Sequence, residues 1–493
     1  MNEKRLILFV AVATLAFLAW TTARFEWFLM EENALFAMDN TWRDYAIYRE
    51  LELGFLPLQG PTTSIGGHHG YLGYYPFLLW RALANTYSSL EWFQVGVYLV
   101  TIASSLLLAL RVASLPGVLL GVGVFFCTNL FLMPQFPSHI MFMMMSAAVA
   151  LYASLRSAEH PLWCLLCVLA LVMAIGCHRT GWVEAILICW LDRRRGGRLL
   201  STWWAWIPLA LYLVPHALIA AQESGVASDT AQQVVGEWMA SDPILVLRTM
   251  PYFHFRFAFL PALQLVQLLV VIGAFVLAWR HRASDPEVRQ LLQFYGAWFV
   301  GLTFYKYDTH YYFPMVVVLP LILALAVDGL LSLRPRLAVA ATVGVAGMHI
   351  WSAISVHHVL GGALDAEGSP FRSVTDEIEI VDALAELDVT QTEFFESTWW
   401  AGRTEERRLA YMYQLFSPHM GQTGQTDRCV RIESVESPVA PGAEPMKQLT
   451  NWRVDMSVDG DCASNVEHYG SPIWYLQLDG MKMVKRPATD ESQ

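Results

Sequence analysis

Long apolar segments recur through the first 360 residues, and polar residues gather in the short stretches between them. Val97–Leu110, Ile207–Leu218 and Met315–Val327, for example, contain no Asp, Glu, Lys or Arg. A helix needs about 20 predominantly apolar residues to cross a bilayer. The pattern therefore predicts about eleven transmembrane helices, near residues 6–23, 93–110, 116–134, 138–155, 161–176, 180–192, 202–220, 258–279, 290–305, 311–329 and 336–355.

Basic residues occur in alternate loops between these segments. They follow the even-numbered predicted helices, at Arg111, Arg156, Arg193–Arg195, Arg280–Arg282 and Arg334–Arg336. Short cytoplasmic loops carry an excess of Lys and Arg. The sequence thus predicts a cytoplasmic N-terminus and an extracytoplasmic C-terminal tail, in a bacterial inner membrane or a plasma membrane. The first segment is expected to be retained, the alternative being a signal peptide cleaved near Ala23.

Composition separates the chain into two parts. Only 15% of the residues are charged and 55% are hydrophobic, whereas soluble domains are about 25% charged, so a single-domain soluble enzyme and a disordered chain are both excluded. Residues 365–493 hold 23 acidic and 11 basic residues, which leaves 20 acidic and 21 basic residues in 1–364. We predict a membrane block at 1–360 and an acidic soluble domain at 366–493. Nothing is basic enough to indicate binding to nucleic acid.

The tail has the pattern of a small α+β domain. A helix is predicted over Thr375–Leu387, strands over Arg428–Ile432, Trp452–Met456 and Ile473–Leu478, and an exposed loop between strands at Pro438, Pro441, Gly442 and Pro445. Cys429 and Cys462 are the two cysteines of the tail. Two cysteines in an extracytoplasmic domain predict a disulfide. The cysteines within the apolar segments are expected to pack as small hydrophobic residues.

The predicted outside loop, residues 24–92, is the longest and the richest in polar side chains. Asp39 to Leu53 has a helical composition, and Gly54 follows as a stop. Asp39 and Arg43 are four residues apart and share a helix face, whereas Asp44 points to another side. Because polar residues at one membrane face are functional candidates, these three are the first candidates for chemistry.

Glycine and aromatic residues alternate in the second half of this loop, from Pro57 to Pro76. Glycine permits close backbone approach to a ligand, and flat rings such as that of Tyr71 can stack on it. His68 and His69 could bind a metal ion. Adjacent side chains in a glycine-rich loop rarely converge on one ion, so we predict a substrate-binding role and no metal site, with a divalent metal left open as a cofactor.

These motifs resemble the GT-C class of integral-membrane glycosyltransferases, which take a sugar from a polyprenyl-phosphate carrier. The relatives in question are the protein mannosyltransferase, aminoarabinose transferase and Rgt-type groups. Four residues occupy the places of the class signature: Asp39, Gly54, Pro57 and Gly60. Gly60, Pro61 and Ser64, followed by Gly66 and Gly67, look like the Rgt-type variant of the loop, and the segment from His310 to Pro314 resembles the Arg-Tyr-x-x-Pro region. Asn40 and His310 depart from the acidic residue and the arginine of that pattern.

The resemblance implies a GT-C fold and the transfer of a hexosyl or pentosyl group to an acceptor hydroxyl of a lipid, glycan or protein at the outer membrane face. A carboxylate can activate that hydroxyl as a general base, and cations stabilise the charge that grows on the leaving phosphate. Asp39 is the predicted base and Asp44 the reserve. The predicted substrate-binding residues are Arg43, His68, His69, Tyr71, His178, Arg179, Arg256, Lys306, His310 and Tyr311.

Structural explanations compete for several of these residues. Asp39 could cap a helix, Arg179 could form an ion pair with Glu184, Lys306 could mark the membrane interface, and Arg256 could belong to an aromatic belt. Two other function classes also compete. A transporter or flippase predicts inverted repeats, and the Asp39–Pro61 pattern has no second copy. A sensor would concentrate its unusual residues in 366–493.

Overall fold

Helices dominate the computed structural model. It describes residues 5–6, 8–9, 12–13, 16, 54–60, 70–76, 79, 87–119, 140–178, 180–222, 261–303, 313–340, 343–344, 347, 379–380, 382–384, 386–387, 429–439, 442–457 and 473–486. The helices are α1 Tyr87–Val112, α2 Ile140–Leu155, α3 Pro161–Cys177, α4 Thr180–Arg195, α5 Ile207–Gln222, α6 Pro261–Arg282, α7 Pro286–Thr303 and α8 Phe313–Leu333. Single turns of helix lie at Leu115–Val118, Leu72–Tyr74 and Trp203–Trp206.

Each of these eight helices coincides with a segment that the apolar pattern predicts. The largest difference is in α1, which starts at Tyr87 rather than near residue 93. The predicted helices at 6–23, 116–134 and 336–355 lie mostly outside the described residues. Among the helices of the described ranges, none combines the length and the hydropathy expected of a membrane-crossing segment.

Local chemistry sets where several helices begin and end. α3, α6 and α7 start with proline, which suits the first turn because its missing N–H would have no partner there. His160 caps α3, since its Nδ1 accepts a hydrogen bond from the Leu162 N–H at 3.2 Å. Clustered basic residues in the last turns of α4 and α6 complement the negative end of the helix dipole.

Small side chains let the helices approach closely around α2. Ala147, Ala150 and Ala153 are fully buried on α2, and Cys164 and Cys167 are fully buried on the facing α3. The Cys167 thiol contacts the carbonyl of Ala150 at 3.4 Å. α2 also contacts α1, α4 and α8. Small residues allow such close packing between helices. Because α2 contacts four other helices, it forms the centre of the block.

One end of the helix block carries a network of charged residues, which we call the arginine face. Arg111 forms a bidentate pair with Glu287, with both N–O distances 2.6 Å, and a second ion pair with Glu159 at 2.8 Å. Arg282 pairs with Asp328 at 3.5 Å. These contacts bring together, at one face, the ends of helices whose connecting loops the sequence assigns to the cytoplasmic side.

Asp192 is the buried centre of this network. Its side chain is inaccessible to solvent and accepts hydrogen bonds from the Ser157 hydroxyl at 2.5 Å and the Leu199 N–H at 3.0 Å. Arg195, in the last turn of the same helix, lies 3.7 Å from it and donates to the carbonyl of Ser154. Because a buried carboxylate is costly unless it is hydrogen-bonded and paired, this arrangement ties the end of α4 to α2.

Two three-stranded antiparallel sheets account for the described strands. The strands are β1 Phe55–Pro57, β2 Cys429–Ser434, β3 Ala443–Gln448, β4 Trp452–Ser457, β5 Ile473–Gln477 and β6 Lys482–Arg486. One sheet has the order β2-β4-β3 and the other β1-β5-β6. The strands predicted at 428–432, 452–456 and 473–478 correspond to β2, β4 and β5. Helical residues between 379 and 387 fall within the helix predicted at Thr375–Leu387.

The prediction of an exposed loop through Pro445 was wrong at that residue. Pro445 lies in β3, at the edge of its sheet, where the register shifts between Pro445 and Lys447. A proline cannot donate to a strand ladder, but an edge strand with a bulge tolerates it. At the centre of the same sheet, Arg453 and Asp455 on β4 form a buried bidentate pair with N–O distances of 2.6 and 2.9 Å.

Replacing Asp192 by Ala should destabilise the full-length protein by about 3 kcal/mol, because the Ser157 hydroxyl and the Leu199 N–H would lose their acceptor inside the block. The thermal unfolding midpoint of the purified protein in detergent measures this. Asp479→Ala is the control, since Asp479 is exposed in a turn and its removal should change stability by less than about 0.5 kcal/mol. Equal midpoints for the two variants would contradict the assigned role of Asp192.

Candidate functional site

Two strands of the tail, β5 and β6, form a sheet with β1, which belongs to the predicted outside loop. β1 pairs antiparallel with β5, with Phe55 opposite Gln477 and Pro57 opposite Tyr475. Hydrogen bonds continue past the strand ends, from the Leu58 N–H to the Trp474 carbonyl at 2.9 Å and from the Leu478 N–H to the Gly54 carbonyl at 3.0 Å. The segment directly after the predicted helix 39–53 is therefore held by the C-terminal tail.

Gly54 and Gln59 shape the two ends of this junction. Gly54 has φ +83°, a left-handed conformation that favours glycine and that suits the predicted helix stop. Gln59 is buried, and its side-chain Oε1 accepts a hydrogen bond from the Trp474 N–H at 3.1 Å. The Gln59 side chain thus takes the place of a backbone acceptor where the ladder ends.

Tyr75 connects this strand to the glycine- and aromatic-rich part of the loop. Its hydroxyl donates to the Pro57 carbonyl at 2.9 Å, and its ring lies edge-on to that of Tyr71, with the centroids 5.5 Å apart. Two parts of the loop, 54–60 and 70–76, are thereby joined. Burial raises the pKa of Tyr75, and the neighbouring Tyr71 raises it further, so the hydroxyl remains a hydrogen-bond donor at neutral pH.

Tyr71 packs against two aromatic residues of α5, and we call Tyr71, Tyr75, Tyr212 and His216 the aromatic cluster. The Tyr71 ring centroid lies 5.2 Å from that of Tyr212 and 5.6 Å from that of His216. Its hydroxyl donates to the Tyr212 carbonyl at 3.4 Å. Burial raises the pKa of Tyr71 to about 12. The predicted site residue Tyr71 thus packs against α5. Its hydroxyl is a neutral hydrogen-bond donor, and most of its ring is buried.

Tyr212 and His216 were not predicted as site residues. They lie four residues apart on α5, so they share a face, and their rings are 4.8 Å apart. The sequence does contain a signal for them, which is a tyrosine and a histidine four residues apart inside an apolar segment. Polar residues in such segments are seldom without a role.

Gly70 fixes the loop against the end of α3. A Cβ atom at Gly70 would lie 2.3 Å from the carbonyl oxygen of Gly176, and one at Gly176 would lie 2.5 Å from the Leu72 side chain. The backbone contact at Gly70 leaves no room for a side chain there, and the Leu72 side chain occupies the space at Gly176. Residues 70–76 therefore lie where α3 ends and α4 begins.

His178 occupies the turn between α3 and α4. It is buried, and its Nδ1 accepts a hydrogen bond from the Thr180 N–H at 3.2 Å, with the Thr180 hydroxyl at 2.9 Å. A nitrogen that accepts from a backbone N–H carries no proton, so this imidazole can donate only from Nε2. The structure gives His178 a helix-capping role like that of His160.

Glu184 lies one turn into α4 and is inaccessible to solvent. Neither of its carboxylate oxygens has a hydrogen-bond partner within the described ranges. Its predicted ion-pair partner, Arg179, lies outside them. An unpaired buried carboxyl group is costly, and Glu184 is consequently the polar group of this region that local packing explains least.

Most of the predicted site residues lie outside the part of the chain that the structure describes. These are Asp39, Arg43, Asp44, His68, His69, Arg179, Arg256, Lys306, His310, Tyr311 and Cys462, and Cys429 is described only by its backbone. Tyr71 and His178 are the two that are placed, at adjoining ends of the loop and of α3. In the same described part, no three His, Cys, Asp or Glu side chains are grouped to hold a metal ion.

No protein-family model matches the sequence, and a comparison with curated proteins finds no match either. Solved structures do match. ArnT from Cupriavidus metallidurans, bound to undecaprenyl phosphate, aligns with a TM-score of 0.52 and 13% sequence identity over 94% of this chain and 99% of that chain. This chain has the fold of ArnT. The apo structure of ArnT gives the same TM-score and coverage at 12% identity.

A third structure, the oligosaccharyltransferase of Archaeoglobus fulgidus in a complex with zinc and sulfate, is less similar. It has a TM-score of 0.45 and 14% identity over 81% of this chain and 57% of that chain. The resemblance predicted from the sequence is confirmed, through the likeness to ArnT, at the level of the fold.

Replacing Gly70 by Ala should separate the loop from α3, because the new methyl group would overlap the Gly176 carbonyl. We expect a stability loss of about 1–3 kcal/mol, measured by thermal unfolding in detergent. Gly273→Ala on α6 is the matched control, since a Cβ there meets no atom within 4 Å. That change should stabilise slightly, by about 0.5–1 kcal/mol. A Gly70→Ala variant as stable as Gly273→Ala would refute the close contact.

Replacing Gln59 by Leu should loosen the junction between the loop and the tail, because the Trp474 N–H would lose its acceptor. Amide hydrogen exchange at residues 473–478 should become at least about fivefold faster, equivalent to about 1 kcal/mol. Gln448→Leu, at an exposed position of β3, should leave exchange in that segment unchanged. Unaltered exchange in Gln59→Leu would show that the side chain does not hold β5.

Proposed function

We propose that this protein is a membrane-embedded glycosyltransferase of the GT-C type, which moves a sugar from a polyprenyl-phosphate carrier to an acceptor hydroxyl at the non-cytoplasmic face. The observation that carries the proposal is the likeness to ArnT over nearly the full length of both chains, because ArnT was crystallised with undecaprenyl phosphate. The loop motif built on Asp39, Gly54, Pro57 and Gly60 supports the same function independently.

The separation of the two polar ends supports a membrane location. α3 starts near Arg156 and Glu159 of the arginine face and ends where Gly70 contacts Gly176. Its 17 residues correspond to about 25 Å of helix, which separates the two polar ends. In the proposed orientation the arginine face is cytoplasmic, and the aromatic cluster and the loop–tail junction face the other side.

Asp39 is the proposed general base. It would take the proton of the acceptor hydroxyl as that oxygen forms a bond to the anomeric carbon, with inversion at that carbon. The bond from the anomeric carbon to the phosphate oxygen breaks at the same time, and its electron pair leaves with the polyprenyl phosphate. Asp44 lies on a different side of the same predicted helix, and we retain it as the alternative base.

Cationic side chains would stabilise the leaving phosphate, since electrostatic stabilisation is usually the largest contribution to such a reaction. Arginine holds a phosphate in a bidentate fork, and lysine acts as a point charge. The proposed phosphate contacts are Arg43, Arg179, Arg256, Lys306 and His310. The sugar and the acceptor would contact His68, His69, Tyr71, His178 and Tyr311.

The extracytoplasmic tail would position the loop rather than perform chemistry. Its strand β5 holds Phe55–Pro57, a few residues beyond the predicted helix that carries Asp39. A loop whose end is fixed in a sheet loses less conformational freedom when it binds a ligand. In this proposal the tail therefore pre-orders the donor-binding loop.

The decisive experiment measures sugar transfer in liposomes from defined polyprenyl-phosphate donors. Asp39→Asn should lower turnover by about 10²–10⁴-fold, the usual contribution of a general base, while Asp479→Asn, a charge-matched change at an exposed turn, should be fully active. Carbonate extraction should leave both variants in the membrane fraction. Full activity of Asp39→Asn would transfer the role to Asp44, and a wild-type protein inactive on every polyprenyl-phosphate sugar would refute the function.

A further inference from the structure

A polar cavity of about 180 Å³ opens at the arginine face, between the end of α4 and the start of α7. Its charged side chains are three arginines, Arg194, Arg195 and Arg289, and none of the described residues that line it is acidic. Gln290 and Gln293 supply amide groups to the same cavity. Arg195 is paired with Asp192 and Glu287, so Arg194 and Arg289 are the charges that can attract an oxyanion.

The charges of two of these arginines are not neutralised within the described ranges. Neither Arg194 nor Arg289 has an ion-pair partner there, and the Arg194 guanidinium stacks over the Trp190 ring at 4.9 Å. Arg195 is held in place by Glu287 at 3.8 Å and by the Ser154 carbonyl at 2.7 Å. Its Nε remains buried with no acceptor among the described residues. Because that Nε is inaccessible to solvent, the exposed side chains of Arg194 and Arg289 are the donors that a ligand in the cavity can reach.

Gln290 forms part of the buried wall of the same cavity. It is 2% exposed, and its Nε2 donates to the Ser154 hydroxyl at 2.9 Å. This hydrogen bond ties the start of α7 to α2 beside the cavity.

An apolar groove of about 480 Å³ lies next to this cavity, between α4, α6 and α7. Trp190, Phe275, Trp279 and Val300 line it, and Arg280 stands at its edge. Gln293 lines both the groove and the arginine cavity. Trp190 lines the groove, and the Arg194 guanidinium stacks over its ring. The two spaces thus form one amphipathic surface, cationic at one end and apolar along the rest.

We propose that this surface binds one anionic phospholipid of the cytoplasmic leaflet, with the phosphate group in the arginine cavity and an acyl chain along the groove. Arginine forks match phosphate oxygens bidentately, and basic pockets between helices on the cytoplasmic side suit anionic head groups. The apolar groove argues for a lipid over a soluble phosphate, which would fill the polar cavity alone. The inference rests on the membrane location proposed above but not on glycosyl transfer.

This site is separate from the proposed donor site. α4 begins at Thr180, beside His178, and ends at Arg195, so its 16 residues place the two sites about 24 Å apart. A lipid bound here would bridge α4 and α7 beside the contact of Arg195 with Glu287.

The test measures lipid binding to the purified full-length protein by native mass spectrometry, with phosphatidylglycerol, phosphatidylcholine and inorganic phosphate as probes. The wild type should bind phosphatidylglycerol at least about tenfold more tightly than phosphatidylcholine. Arg194→Gln with Arg289→Gln should abolish that preference. Arg193→Gln with Arg198→Gln, two exposed arginines outside the cavity, removes the same charge from the arginine face and should preserve it.

A second pair of variants tests the groove. Ala297→Trp should fill it and weaken phosphatidylglycerol binding by at least about tenfold, whereas Leu211→Trp on the exposed side of α5 should not. Three results would each overturn the proposal. The first is equal affinity of the wild type for the two lipids, and the second is a loss of the preference in Arg193→Gln with Arg198→Gln equal to that in Arg194→Gln with Arg289→Gln. The third is displacement of the lipid by inorganic phosphate together with unchanged phosphatidylglycerol binding in Ala297→Trp. A protein inactive in sugar transfer that still binds phosphatidylglycerol selectively would refute only the proposed function.

Discussion

The pairing of β1 with β5 is the contact on which the organisation of the candidate site depends. It joins residues more than 400 positions apart, with Gln59 accepting from Trp474 across a separation of 415. Closing so long a loop costs conformational entropy, and the contact is held by a short ladder, one buried side-chain acceptor and the edge-to-face contact of Phe55 with Tyr475. The tail is therefore part of the structure that holds the outside loop.

Aromatic contacts and one backbone contact connect this junction to the helix block and hold the loop against it. Tyr75 links Pro57 to Tyr71, Tyr71 packs on α5, and Gly70 meets the end of α3. Each of these contacts involves a group with little freedom: a carbonyl, a ring or a glycine. Such a chain of contacts can position a ligand-binding loop accurately, which proximity catalysis requires.

Features with a local physical cause could be predicted from the sequence. Apolar runs predicted α1–α8, and strand-like runs in the tail predicted β2, β4 and β5. The pairing of β1 with β5 and the contacts of Tyr71 with α5 could not be predicted, because they depend on which distant segments meet. β3 was missed because Pro445, with Pro441 and Gly442 just before the strand, resembles a loop, and an edge position tolerates the proline. Asp39, the centre of the predicted chemistry, lies outside the described residues.

The two histidines at helix starts show why residue type alone does not identify a phosphate ligand. His160 near the arginine face and His178 near the aromatic cluster both cap a helix through Nδ1, although only His178 was predicted to bind substrate. Arg111, Arg195 and Arg282 likewise form ion pairs with carboxylates at the arginine face. These carboxylates neutralise the charge of the arginines, and the pairs join helices. A cation can serve a ligand only where such partners are missing. Arg194 and Arg289 meet this condition among the described residues, and the arginine face consequently combines structural ion pairs with one region suited to an external anion.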